Sequence, residues 1–431
     1  MRGFGTEPIE GLPGFHQVTE GPGPLSATAE HWLGLLYVQQ ASTGSAAPAL
    51  APGPGEHVLD LCSAPGGKTL HMAELMQDTG CIVASELSEP RIRGLLGNVY
   101  RLGHSNILVT AGDGRDIPTD ATFDRVLVDA PCSGEGTLRR GGGQAPNQSA
   151  SFLRYVTSAQ QGLLARAVEV TRPGGVILYV TCTFAPEENE AIVSGALRDL
   201  PVELEWLDLP VPHARGLTEF EGTRFDPRVE GAARIYPHHL DSGGLFLARL
   251  RKLEEGADRA FRASVPTVFP GGELTPDEAE VRLGSALDEL RTRYGAGEAL
   301  DHLRWMFRGG RAWFHTLDAW PLPIWEEGGW RAISVGIRGI DFDSRGRARP
   351  SNDLIRLFGE NLTGRVVDVD DEEIRTLLAK KPIPATETER GPIAIRHRGD
   401  VVGRGAVTVD GLKSEIPKTR AADYLRSIEP A

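Results

Sequence analysis

Between residue 56 and about residue 252, short apolar runs alternate with helical stretches, and no other feature restricts the fold so strongly. The strand candidates are "EHVLDL", "CIVASE", "NILVT", "DRVLVDA" and "GVILYVT", followed by "VELEWL" and "GLFLARL". Helices are expected from Thr69, near 89–103, near 152–171 and from Pro186. Strands that are apolar throughout need cover on both faces, and a helix between two strands returns the chain parallel to itself. The expectation is therefore an α/β, doubly wound, largely parallel sheet, whose ligands gather at the carboxyl ends of its strands.

At 431 residues the chain exceeds one ordinary core, so further domains are expected. Residues 1–55 form a short Gly/Pro/Ala-rich lead, broken by "ATAEHWLGLLYVQQAST", which reads as a helix and an extended entry segment. Residues 56–252 form the α/β domain. Residues 253–325 begin with the charged connector "KLEEGADRAFRASV" and continue as a small helical or α+β module, with a helix near 276–308. Residues 326–431, with "WRAISVGIRGI" and "GPIAIRHRGDVVGRGAVTVDG", read as a small β-rich unit.

Composition excludes several classes. Hydrophobic residues at 40% and charged residues at 24% are globular, and no run approaches the roughly 18 apolar residues of a membrane span. "MRGFGTEPIEGLPGF" lacks the apolar core of a signal peptide, so a cytoplasmic protein is expected. A net charge of -13 argues against polyanion binding over the whole surface and leaves only local basic patches for phosphates. The four cysteines (Cys62, Cys81, Cys132, Cys182) include no CxxC pair, so neither a disulfide framework nor a metal site is expected.

The loops at the strand ends carry the chemistry. "VLDLCSAPGGKTLHMAEL" is a strand, a Gly-rich turn and a helix start. Gly66 and Gly67 permit close backbone approach, and the new helix's free amides favour anionic groups. A Walker loop would need glycine where Cys62 stands, and GxGxxG is absent, which leaves a nucleoside-type cofactor. Glu86 ends the second strand, roughly 20 residues further on, the spacing at which a carboxylate takes ribose hydroxyls. Ser88 is the better helix cap there, which leaves Glu86 for a ligand. Asp113 ends the third strand, where an adenine amine can be met. Asp116 reads as a solvated or turn-stabilising acid.

"DRVLVDAPCSGEGTLRR" ends the fourth strand with Asp129, Pro131 and Cys132, and "YVTCTFAPEENE" ends the fifth with Cys182. Adjacent fourth and fifth strands would aim both thiols at one cavity. Cys81, at the start of the second strand, reads as a small buried hydrophobe. Lys68 and a helix after Pro186 can favour a Cys182 thiolate, while Glu187 and Glu188 oppose it, so no depressed pKa is inferred.

"DLCSAPGGKT", "DAPCSGEGTLRR" and "VTCTFAPEENE", in this order, resemble the signature loops of the Sun-domain (NSUN-like) RNA cytosine-5 methyltransferases. "GLLYVQQAST" and "RIYPHHLDSGGLFLARL" extend the resemblance over about residues 30–252. Beyond that the chain is similar to the bacterial 16S ribosomal RNA members, with a small extension and a PUA-like module. The resemblance implies a Rossmann-like class I methyltransferase domain that uses S-adenosyl-L-methionine. Cys62, Ser63, Ala64, Pro65, Gly66, Gly67 and Lys68 would wrap the methionine end, Glu86 the ribose and Asp113 the adenine side, with Asp129 between cofactor and base. It assigns Cys182 as nucleophile and Cys132 as the thiol needed for release. The implied partner is RNA, with ribosomal RNA or the small subunit ahead of transfer RNA, and the protein is expected to act as a monomer.

The chemistry explains two thiols. Thiolate addition at C6 of cytosine gives C5 the carbanion character it needs to accept a methyl group, and a base must then remove the C5 proton. Asp129, protonated or sharing a proton with ring N3, would stabilise the adduct, with Lys68 orienting it. The base must leave its stack to be reached. For backbone contacts the sequence offers Arg345, Arg347, Arg349, Arg396, Arg398, Arg404, Lys413, Lys418 and Arg420. Three rivals remain: the same chemistry on transfer RNA, a noncatalytic RNA-binding or ribosome-assembly factor, and a small-molecule or protein methyltransferase. The last has no use for paired cysteines. The short lead, the Gly/Asn-rich loop after Cys132 and the net charge depart from the family pattern.

Overall fold

In a computed structural model of the protein, residues 3–120, 122–136, 149–253, 263–270, 272, 274–320 and 330–428 are described. Most of the loop after Cys132 (137–148), the connector 254–262 and the end of the Trp-rich run (321–329) lie outside the described residues.

Five strands form the parallel centre: β1 (His57–Asp60), β2 (Cys81–Glu86), β3 (Ile107–Ala111), β4 (Phe123–Asp129) and β5 (Thr171–Thr181). Their order is β3-β2-β1-β4-β5, so the direction of winding reverses between β1 and β4. The crossovers hold α1 (Gly67–Leu75), α2 (Glu89–Leu102) and α3 (Ala150–Val170). Every residue of β2 and β3 is buried, as two-faced cover requires. Successive residues feed opposite layers: Leu59, Val83, Leu108 and Val126 pack with Leu163, Ala167 and Val193, while Val58, Ile82, Val109 and Leu127 pack with Leu70, Ile92 and Leu95.

After β5 come α4 (Glu190–Asp199), β6 (Val202–Glu205), β7 (Ala214–Arg215), β8 (Ala233–Ile235) and β9 (Leu245–Lys252). β9 lies antiparallel on β5, β6 and β8 share its other edge, and β7 pairs with β8. The expected helix from Pro186 starts only at Glu190, because residues 186–189 are a turn.

The C-terminal half departs further from expectation. α5 (Pro276–Tyr294) opens on a capping box between Thr275 and Glu278 and stops where Gly295 takes φ 64, well before residue 308. β10 (Arg304–Arg308) and β11 (Arg311–His315) follow, then β12 (Arg331–Val335), β13 (Ile337–Phe342) and β14 (Ala348–Pro350). β12 pairs antiparallel with β3 and so extends the central sheet, covering an edge whose backbone groups would otherwise lack partners. The other four strands form one sheet, β10-β11-β13-β14, which runs across the boundary expected at residue 325. A last unit holds α6 (Asn352–Leu357), β15 (Val366–Val369), α7 (Asp371–Leu378), β16 (Gly391–His397), β17 (Asp400–Thr408), β18 (Gly411–Ser414) and α8 (Lys418–Ile428). It is tied to the first domain by Arg356, whose guanidinium donates to the carbonyls of Leu33 (2.5 Å) and Tyr100 (2.7 Å). Among the described residues, no helix is long and apolar enough to cross a membrane.

Glu190, at the first turn of α4, is fully buried against Arg234 of β8, with contacts of 2.7 and 2.5 Å. Arg234→Met leaves that carboxylate unpaired, and urea unfolding should show a loss of about 3–5 kcal/mol. An unchanged midpoint would mean the pair is dispensable.

Candidate active site

The loops after β1 and β4 flank the point where the winding reverses, and the loop after β5 lies beside them. After β1, the chain turns through Cys62–Gly66 into α1, with Gly66 at φ 109 as the helix N-cap. A side chain on Gly67 would meet Gln39 Oε1 at 2.8 Å and the Tyr37 ring at 3.1 Å, so any residue larger than glycine would have to displace them. The loop is fixed from outside. Ser63 donates through Oγ to the Ser85 carbonyl (2.8 Å), Arg91 donates to the Ala64 carbonyl (2.6 Å), and Asn98 donates to the Pro65 carbonyl (2.9 Å).

Glu86 stands at the end of β2, nearly fully buried. Its Oε1 accepts the Ser88 amide at 2.9 Å, so it is less free than expected, and Ser88 makes no side-chain cap. Oε2 lies 3.1 Å from Arg91 but has no hydrogen-bond donor, which leaves one buried acceptor for a hydroxyl. Asp113 stands at the end of β3 as expected, but Arg115 engages both its oxygens at 2.5–3.2 Å and holds its carboxyl below the usual range. Asp116 is exposed.

Lys68, from the first turn of α1, donates to Asp129 Oδ2 at 2.7 Å. Burial works against its charge, but the adjacent Asp129 outweighs burial and raises its pKa. Asp129, expected to be protonated or to share a proton with ring N3, accepts a hydrogen bond from Lys68 in this ion pair. Asp60, which the sequence reading passed over, lies beneath. It is buried, accepts Thr69 Oγ1 at 2.7 Å, and burial pushes its pKa up to about 7.

Cys132 and Cys182 face each other, Sγ to Sγ at 3.3 Å. The hydrogen bond with Cys132 lowers the Cys182 pKa against the opposing effect of burial, and Lys68 adds to the lowering. The same hydrogen bond, with burial, raises Cys132 well above its usual value. No helix N-terminus is needed for the lowering. The two threonines flanking Cys182 secure its loop: Thr181 Oγ1 donates to Asn189 Oδ1 (2.5 Å), and Asn189 Nδ2 returns to the Thr183 carbonyl (3.0 Å). A side chain on Gly136 would strike the Cys182 carbonyl at 2.8 Å, so the two loops stack backbone on backbone. Burial raises the Cys62 thiol well above its usual range, and Cys81 is fully buried in β2. Neither makes a nucleophile.

The basic residues expected to dock RNA are largely ion-paired. Arg396 meets Asp368 (2.7 Å), Arg398 meets Asp371 (2.6 Å), Arg404 meets Glu415 (2.5 Å), Lys413 meets Asp410 (2.6 Å) and Arg420 meets Asp353 (2.6 Å). Arg347 is held by Asp343 at 2.8 Å, and Arg349 lies 4.0 Å from Glu415. Among the described residues, Arg345 and Lys418 make no ion pair. No cluster of metal-ligating side chains occurs among the described residues.

A doubly wound sheet with a Gly-rich loop after its first strand and a strand-end carboxylate on its second is a Rossmann-like nucleoside-cofactor fold, here with a thiol pair beside the switch point. The model of the 16S rRNA methyltransferase RsmB/F family matches residues 47–251. The ribosomal RNA small subunit methyltransferase F of Aeromonas salmonicida is 30% identical over 416 residues, covering 93% of this chain and 82% of that protein. The human 28S rRNA (cytosine(4447)-C(5))-methyltransferase is 34% identical over 278 residues, covering 61% of this chain and 34% of that one. Among solved structures, a methyltransferase homologue from Pyrococcus horikoshii superposes with a TM-score of 0.52 at 34% identity, over 58% of this chain and 79% of that one. The chain belongs to the RsmB/F family of methyltransferases.

Two outcomes follow from the electrostatics. Cys132→Ala removes the donor to Cys182, so alkylation of Cys182 by iodoacetamide at pH 7.5 should slow about threefold or more; an unchanged rate would mean the S–H···S contact does not set the thiolate. Asp60 binds its proton more tightly folded than unfolded, so it withdraws stability as pH rises from about 4 through about 7. Between pH 5 and 8, Asp60→Asn should therefore lose less in melting temperature than wild type. Parallel curves would contradict the buried acid.

Proposed function

We propose that the protein is an S-adenosyl-L-methionine-dependent RNA (cytosine-5) methyltransferase acting on ribosomal RNA of the small subunit. The reading rests on one observation above all: two thiols 3.3 Å apart beside the Lys68–Asp129 pair, an arrangement that methyl transfer to N, O or S does not need. The same contact disfavours a noncatalytic assembly factor.

The cradle fits the cofactor. The orphaned Glu86 Oε2 suits a ribose hydroxyl, and residues Cys62 to Lys68 would hold the methionine end, with Asp129 beside it. Asp113 would serve the adenine side only by sharing oxygens already given to Arg115. When bound, the cofactor supplies an electrophilic methyl group on a sulfonium.

The remaining work belongs to side chains. Cys182 Sγ, favoured as thiolate, forms a bond to C6, and the electrons of the C5–C6 double bond move into the ring toward C5 and N3. The proton that Lys68 presents to Asp129 would offset charge developing at N3. Once C5 is methylated, Cys132 passes its own proton to solvent water and its thiolate takes the C5 proton. The C5–C6 double bond re-forms and Cys182 leaves as thiolate. The raised pKa of Cys132 makes its thiolate the stronger base of the two. Since one chain holds both thiols and the cofactor loop, a monomer suffices.

Wild-type, Cys182→Ala and Cys132→Ala proteins incubated with S-adenosylmethionine and small-subunit ribosomal or transfer RNA give the test. Nucleoside mass analysis should find 5-methylcytidine in ribosomal RNA with wild type and none with Cys182→Ala. Cys132→Ala should instead leave a protein–RNA adduct stable on a denaturing gel. Normal methylation by Cys182→Ala would refute the mechanism, and product confined to transfer RNA would refute the substrate.

A further inference from the structure

The two cysteine loops are joined by more than the sulfur contact. Glu188, six residues beyond Cys182 and fully buried, reaches across to accept the Ser133 amide at 3.0 Å. In the opposite direction Glu135, three residues beyond Cys132, accepts the Phe184 amide at 3.0 Å and Thr183 Oγ1 at 3.2 Å. Gln160 of α3, also fully buried, donates to Glu188 Oε2 (2.9 Å) and to the Pro131 carbonyl (2.9 Å), bracing both loops from below. Ser133 Oγ and Thr183 Oγ1 meet at 2.7 Å, and the Gly136 amide donates to the Cys182 carbonyl at 2.8 Å.

A buried carboxylate is costly unless its interactions repay it, and Glu188 meets no basic side chain in an ion pair among the described residues. Its Oε1 has no partner at all. An apolar residue at 188 would spare the desolvation cost but remove the acceptor of the Ser133 amide and Gln160 Nε2, so what the carboxylate supplies is the link between the two loops. What Oε2 does is fix the residue directly after Cys132.

We propose that Glu188 and Glu135 form a reciprocal clamp that positions Cys132 over the reacting base, and that the clamp serves the release step rather than the addition of Cys182. This rests on the two-thiol reading above. Cys182 keeps its own supports, Asn189 with Thr181 and Thr183, and those survive loss of the clamp. The Cys132 loop is held by contacts to other elements: the residue before it by Gln160, the residue after it by Glu188 and Thr183, and its far end by Glu135 and Gly136.

The test follows first and later turnovers of the full chain on the RNA that wild type methylates, with gel-stable adduct as a second readout. Glu188→Ala should retain a first-turnover burst, lower steady-state turnover about tenfold or more and accumulate adduct, as Cys132→Ala does. Glu188→Gln, which keeps an acceptor for the Ser133 amide, should recover most of the release rate. Glu135→Ala, nearer the surface, should show the same defect more weakly and serves if Glu188→Ala fails to fold. If both alanine variants release product like wild type while Cys132→Ala traps adduct, the clamp is refuted and the two-thiol reading stands. Loss of burst and turnover together in folded Glu188→Ala and Glu188→Gln alike would also refute it. No adduct with Cys132→Ala refutes both.

Discussion

Parallel pairing of β4 with β5, in a register that sets Asp129 beside Val180, is the constraint on which the site depends. It places the loops carrying Cys132 and Cys182 next to each other, so that two sulfurs separated by 50 residues in sequence meet at 3.3 Å. Without that adjacency each cysteine would be a half-buried thiol with nothing to act upon. The reversal of winding between β1 and β4 then opens the crevice beside them and brings Lys68 onto Asp129.

The charges divide the labour. Burial alone would raise both thiols, and the contact between them lowers Cys182 and raises Cys132. Lys68 adds a cation at the same place, while Asp129 keeps that cation charged and oriented. Two identical side chains thus have pKa values moved in opposite directions.

Most of this was legible in the sequence where local pattern decides. Strands buried on both faces read as continuous apolar runs, and the Gly66–Gly67 turn and the two strand-end cysteines could be located by their neighbours. The legible part stops where a partner is distant in sequence. Nothing in "WRAISV" announces that it will cover the free edge of β3, since an edge strand takes its place from unpaired backbone groups elsewhere. The helix of residues 276–294 was read too long because Gly295 marks its end more faintly than an apolar period marks its continuation. Glu188 looked like an acid opposing a helix terminus, and only the fold shows it reaching for Ser133. The clustered arginines looked like a docking surface because their carboxylate partners, such as Asp368 for Arg396, come from other elements.

The central claim is that the two thiols differ in role, with Cys182 alone bonded to the base. The direct measurement is peptide mapping of the trapped complex: Cys132→Ser protein bound to its RNA, digested with nuclease and protease, and read by tandem mass spectrometry. The account predicts a methylated cytidine residue on the peptide that contains Cys182, with Cys62 and Cys81 unmodified. A nucleotide carried by any other residue, or an adduct that forms equally well when Cys182 is replaced as well, would contradict it.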